Sequence, residues 1–149
     1  MSARETRLRK PVEILLVEDN PGDIRLMQEA FKEGKFLSRL NVARDGEQAL
    51  AFLRRQGSYA DSPRPVFILL DLNLPRKDGR EVLAEIKREK SLRQIPVVVM
   101  STSTSVEDVQ TAYDLHANCY IPKPADLDKL IQLGKLIERF WLNTAVLPA

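Results

Sequence analysis

Short, almost wholly apolar runs alternate along this chain with stretches in which apolar residues recur every three or four positions. Val12–Val17 is such a run and ends in acids, as expected of a strand buried on both faces. Asn20-Pro21-Gly22-Asp23 then reads as a turn and helix start, with Ile24, Met27 and Phe31 at helical spacing up to Gly34. Leu40 and Val42 alternate with polar residues and suggest a second strand. Asp45-Gly46 punctuates, and Ala49, Leu50 and Leu53 form a second helical stripe. Gln56 to Pro65 reads as a loop, and Val66–Leu70 as a third strand that stops at Asp71. Val82, Leu83 and Ile86 mark a third helix, and Val97–Met100 a fourth strand ending in Ser101-Thr102. Ser105 caps a fourth helix carrying Val106, Val109 and Tyr113. Cys119–Ile121 is a brief fifth strand before Pro122-Lys123-Pro124, and a last helix runs from Asp126 past Trp141.

Five βα repeats predict an α/β fold: a parallel sheet with right-handed crossovers and helices on both faces. In such sheets polar function collects at the carboxyl ends of the strands. Here those ends carry Glu18-Asp19, Asp71 and Ser101-Thr102, with Lys123 just beyond the fifth. Three carboxylates brought together repel unless a cation lies among them, and hard oxygen donors suit Mg²⁺. Asp71 would then act as a carboxylate nucleophile in phosphoryl transfer, with Glu18, Asp19 and Asp71 holding the metal. Lys123 and the Ser101 hydroxyl would contact phosphoryl oxygens. Any one of these residues alone is more simply a turn acid or a helix cap; the set, at the predicted strand ends, is not.

Composition changes this picture little. The chain has 149 residues, 44% hydrophobic and 30% charged, which suits one globular domain. The apolar runs are too short to span a bilayer and no secretion signal is present, so a cytoplasmic location with no membrane partner is expected. Residues 1–10 hold Arg4, Arg7, Arg9 and Lys10 against Glu5, a net of +3, so the formal charge of +2 leaves −1 on the rest. The basicity therefore sits in a leader expected to be disordered, not on a folded basic face, and nucleic-acid binding is not expected. The lone Cys119 reads as a small buried hydrophobe, and the lone His116 as a helix-end residue.

The segments V-E-D-N (17–20), L-L-D-L-N-L-P-R-K-D-G (69–79), V-V-V-M-S-T (97–102) and Y-I-P-K-P (120–124) resemble the receiver domain of two-component response regulators. The resemblance runs from Val12 to about Trp141, and the intervals of 30 residues from Asp71 to Ser101 and 52 to Lys123 fit it. It implies a doubly wound five-stranded sheet in the flavodoxin-like order 2-1-3-4-5, with a receiver domain at 11–142 and a tail at 143–149. No output domain is expected. It further implies Asp71 as phosphoacceptor, Glu18 and Asp19 as the metal-binding pair, and Asn73 as a main-chain carbonyl ligand of Mg²⁺ or Mn²⁺. Ser101 matches the switch hydroxyl, with Thr102 beside it at the phosphoryl group. Tyr120 matches the switch aromatic, and Lys123 the lysine before a cis proline, Pro124. Two departures are the Glu at 18, where many members have Asp, and a longer loop at 56–65.

The start I-L-L-V-E-D-N-P-G-D-I-R-L and the ending F-W-L-N-T-A-V-L-P are similar to the regulators that partner bacterial phytochromes. The implied partner is a sensor histidine kinase, which the narrower resemblance makes a phytochrome, together with a downstream protein. A haloacid-dehalogenase-type phosphatase also uses a strand-ended aspartate, but needs a second aspartate where this chain has Asn73. A pseudo-receiver that works without phosphorylation is the other alternative. On the last helix Leu127, Leu130, Ile131, Ile137 and Trp141 form one apolar arc, and Leu133, Leu136 and Phe140 a second. The second arc is expected to mediate homodimerisation unless the fourth helix or the tail covers it.

Overall fold

The computed structural model describes residues 11–34 and 36–148. The basic leader expected at 1–10 lies outside the described residues. Five parallel strands, β1 (Val12–Val17), β2 (Ser38–Ala43), β3 (Phe67–Asp71), β4 (Val97–Ser101) and β5 (Cys119–Pro122), lie in the order β2-β1-β3-β4-β5. The helices between and after them are α1 (Pro21–Lys32), α2 (Gly46–Arg54), α3 (Gly79–Arg88), α4 (Val106–Asp114) and α5 (Leu127–Arg139). A short 3₁₀ turn, Gly57–Tyr59, forms within the stretch read as a loop, and a π-type turn, Phe140–Thr144, extends α5.

β3 and β4 are buried along their whole length because they are central and covered on both sides. Alternate residues of the strands feed two cores. Leu15, Val17, Ile68, Leu70, Val97 and Val99 pack with α2 and α3 on one face. Ile14, Leu16, Phe67, Leu69, Val98 and Met100 pack with α1 and α5 on the other. Trp141 closes this second core by stacking on Phe67, with ring centroids 5.8 Å apart. At Gly134 α5 meets α1 so closely that a Cβ there would stand 2.6 Å from that of Ala30.

Every helix begins at the same edge of the sheet with a side-chain cap. Asn20, Asp45, Asp78, Ser105 and Asp126 each accept a hydrogen bond from a backbone N–H in the first turn. The caps fix where each strand-ending loop turns. At Gly79 the start of α3 lies against the end of β3, and any Cβ would overlap the carbonyl of Asp71.

Two apolar stripes differ from expectation. On α4, Val106 and Tyr113 are exposed and Ala112 is the buried residue. The helix is short, and the Tyr113 hydroxyl reaches outward to accept a hydrogen bond from the N–H of Tyr120 on edge strand β5. On α5, Leu127 is exposed at the first turn, whereas Leu130 and Ile137 are buried as expected. Leu133 belongs partly to the core, packed against the Phe67 side, so the second arc reduces to Leu136 and Phe140.

Candidate functional site

The carboxyl ends of β1, β3 and β4 and the segment after β5 bring together residues more than 100 positions apart. Glu18 and Asp71 are buried and Asp19 is exposed, yet one oxygen from each lies within 4.8 Å of the others. Into this cluster comes Lys123, whose Nζ lies 2.7 Å from Glu18 Oε2, 3.1 Å from Asp23 Oδ2 and 3.2 Å from Asp71 Oδ2. The parallel register explains the arrival: Ser101 of β4 lies opposite Pro122, and the Lys123 N–H donates to the Ser101 carbonyl at 2.7 Å.

Backbone donors orient the acids. The Asn73 N–H donates to Asp71 Oδ1 at 3.0 Å, and the Asn20 N–H to Glu18 Oε1 at 3.1 Å. Each leaves its carboxylate's second oxygen toward Lys123. Three acids (Glu18, Asp23, Asp71) thus meet one ammonium, with the exposed Asp19 beside them. Burial pushes the Glu18 carboxyl up to about 7, against the downward pull of its hydrogen bond to Lys123, while the charge of Asp71 raises it further. Burial draws the Lys123 ammonium down, but its hydrogen bond to Glu18 and the charges of Asp71 and Glu18 more than reverse this, and it is raised.

The excess of negative charge fits a hard divalent cation held by oxygen donors, so the residues present suit the metal that the sequence implies. Without metal, Glu18 should weaken the fold as pH rises. Folded, it keeps its proton up to about pH 7, whereas an ordinary glutamate loses it near 4.5, so unfolding releases a proton between those limits. Its unfavourable contribution is absent below the lower value and complete above the upper. We expect Glu18→Gln to gain stability over the metal-free wild type between pH 5 and pH 8 by on the order of 1–3 kcal/mol. Urea unfolding at both pH values checks this, and an unchanged difference would contradict it.

The other expected residues are placed as follows. Ser101 is fully buried, and its Oγ accepts from the Ser103 N–H at 3.2 Å. Thr102 is exposed at the rim. Tyr120 is half-buried against the first core and its hydroxyl donates to the Ser103 carbonyl at 2.8 Å. Ser101 and Tyr120 therefore grip the same loop residue. Arg80 of α3 holds Asp108 of α4 at 2.8 Å and braces that loop from outside.

The expectation of a cis Lys123-Pro124 bond is corrected: no peptide bond among the described residues is cis. The lysine reaches Asp71 from a trans bond, the isomer that X–Pro sequences favour by about 0.5–1 kcal/mol. Asp23 was not foreseen as a site residue. Its only signal was its place in the first turn of the helix after the acidic pair.

The chain matches the family model described as "Response regulator receiver domain" over residues 14–135. It is 54% identical over 139 residues to "Response regulator Rcp1" of Synechocystis sp., covering 93% of this chain and 95% of that one. Among solved structures, the phosphorylated cyanobacterial phytochrome response regulator RcpA is 55% identical with a TM-score of 0.91, over 94% of this chain and all of that one. The Mn²⁺-bound form of Rcp1 is 54% identical with a TM-score of 0.89, over 93% of this chain and all of that one. Agreement at this level along nearly the whole length settles the kinship: the chain belongs to the response regulator receiver domain family.

Proposed function

We propose that this protein is a phosphoacceptor of a two-component relay, taking its phosphoryl group on Asp71 from a sensor histidine kinase. The observation that carries the reading is Lys123 Nζ 3.2 Å from Asp71 Oδ2 inside a cluster of acids at one sheet edge. An Asp71 oxygen attacks the phosphorus of a phosphohistidine. The P–N bond breaks, the imidazole leaves with the electron pair, and a mixed anhydride remains on Asp71. Lys123 neutralises one phosphoryl oxygen, and Ser101, with Thr102 beside it, meets another. Glu18, Asp19, Asp71 and the Asn73 carbonyl would hold Mg²⁺ or Mn²⁺. When bound, the metal offsets charge on the transferring oxygens.

The kinase is proposed to be a phytochrome, because RcpA is described as a phytochrome response regulator and was crystallised phosphorylated. The cytoplasm is the proposed compartment, and among the described residues no helix is long and apolar enough to cross a membrane. The protein catalyses only its own phosphoryl gain and loss, and a phosphatase reading lacks the second aspartate at Asn73. Intact mass tests the central reading. One phosphoryl mass should appear with Mg²⁺ and a small phosphodonor, and none after chelation; labelling that survives chelation would contradict it.

A symmetric homodimer is the proposed state. Leu136 is 54% and Phe140 48% exposed, beside an apolar hollow of about 440 Å³ between β5 and α5 lined by Cys119, Ile121, Ile137 and Trp141. A two-fold axis would let each patch cover its copy. Sedimentation velocity should show a dimer that Leu136→Glu/Phe140→Glu returns to monomer. A wild type that stays monomeric at high concentration, phosphorylated or not, would end this idea.

A further inference from the structure

Lys123 is 7% exposed in its side chain and has three carboxyl partners, Glu18, Asp23 and Asp71. Two of them, Glu18 and Asp71, belong to the trio of acids whose oxygens converge within 4.8 Å, and Asp23 stands outside that trio. A cation held by the trio takes oxygens that Lys123 now shares. An ammonium left buried beside a metal with no counter-ion would be costly, and Asp23 is the one partner of the lysine that the metal does not claim. Asp23 is also well placed to hold on. It lies in the first turn of α1, behind Pro21, and its N–H is tied to Asn20 Oδ1 at 3.0 Å.

We propose that Asp23 is a positioning residue that anchors Lys123 beside Asp71 when the metal site is filled, so that the ammonium meets the incoming phosphoryl group in place. This rests on the phosphoacceptor reading above. It carries a sign opposite to bare electrostatics. Removing a negative charge next to an anionic donor should by Coulomb's law speed its attack. Losing the anchor of Lys123 should slow it.

The test is the rate of mass labelling of the full chain by a small phosphodonor with Mg²⁺. Asp23→Asn should label about threefold to tenfold slower than wild type, the scale by which a charge-assisted hydrogen bond exceeds the neutral one that an amide oxygen still accepts. In a Lys123→Ala background the same substitution should cause no slowing, because the group it positions is gone. Asp23→Glu, which keeps the charge on a longer arm, should fall between. Labelling of Asp23→Asn at or above the wild-type rate overturns the proposal, and so does equal slowing in both backgrounds. The ε-ammonium NMR signal of Lys123 in Mg²⁺-loaded protein gives a second readout that needs no labelling. It should be resolved in wild type and Asp23→Glu and lost to fast exchange in Asp23→Asn; an unchanged signal contradicts the anchor. A wild type that takes no label refutes the phosphoacceptor reading instead, and the ammonium signal still reports on Asp23.

Discussion

Asp71→Asn is expected to gain no phosphoryl mass under conditions in which the wild type takes up one. The carboxamide keeps the size of the side chain and can still accept the Asn73 N–H bond that now reaches Asp71 Oδ1. It lacks the anionic oxygen that attacks phosphorus, and removal of a covalent nucleophile costs on the order of a thousandfold or more. The variant should also stay folded, since it lowers the negative charge of a site that gathers four acids and one lysine. Its NH₂ would meet the Lys123 ammonium donor to donor, a loss that Glu18 and Asp23 offset by keeping their ion pairs with that lysine. Equal labelling of Asp71→Asn, measured by intact mass beside a melting curve, would show that another residue is the acceptor.

The second large effect is an uncoupling. Ser101→Ala and Lys123→Ala should bind Mg²⁺ and accept a phosphoryl group, Lys123→Ala slowly, without the shape change that follows in wild type. In the structure the Ser101 hydroxyl accepts from the Ser103 N–H, and Tyr120 donates to the Ser103 carbonyl. A phosphoryl oxygen that recruits the Ser101 hydroxyl bears on both holds at once. The loop after β4 then has reason to rearrange, and Tyr120 to follow it. Ligands shift such an equilibrium only by their differential interaction with its two states. A hydrogen bond to a charged group contributes about 1.5–3 kcal/mol, roughly tenfold to a hundredfold in the population of the active loop. The check is the amide chemical shifts of Ser103 and Tyr120 on phosphorylation, large in wild type and mostly lost in both variants. Wild-type shifts in either variant would remove that residue from the switch.

The parts of this account that could be read in the sequence are those in which one physical constraint acts alone. A strand covered on both faces must be apolar throughout, so Phe67–Leu70 and Val97–Met100 announce themselves, and the polar residues that end them mark the functional edge. The gathering of Glu18, Asp19 and Asp71 follows from parallel topology, whereas the strand order is legible only through the resemblance to receiver domains. Helical periodicity says which side of a helix is apolar, but not what lies against it. Val106, Tyr113 and Leu127 thus stand at apolar positions of the helical pattern and are exposed, while Leu133, on the arc expected to face outward, is half covered. Asp23 was hidden for another reason. Its ion pair depends on where a lysine exactly 100 residues later returns to the sheet edge, which no local spacing encodes.

On this reading Asp71 carries the signal as an acyl phosphate. Borohydride reduction of freshly labelled protein, which converts an aspartyl phosphate to homoserine, followed by peptide mass spectrometry, locates that phosphate. Homoserine is expected at position 71 and nowhere else, dependent on Mg²⁺. Homoserine at Asp19 or Asp23, a phosphoryl group on Ser101 or His116, or no modified peptide at all would contradict it.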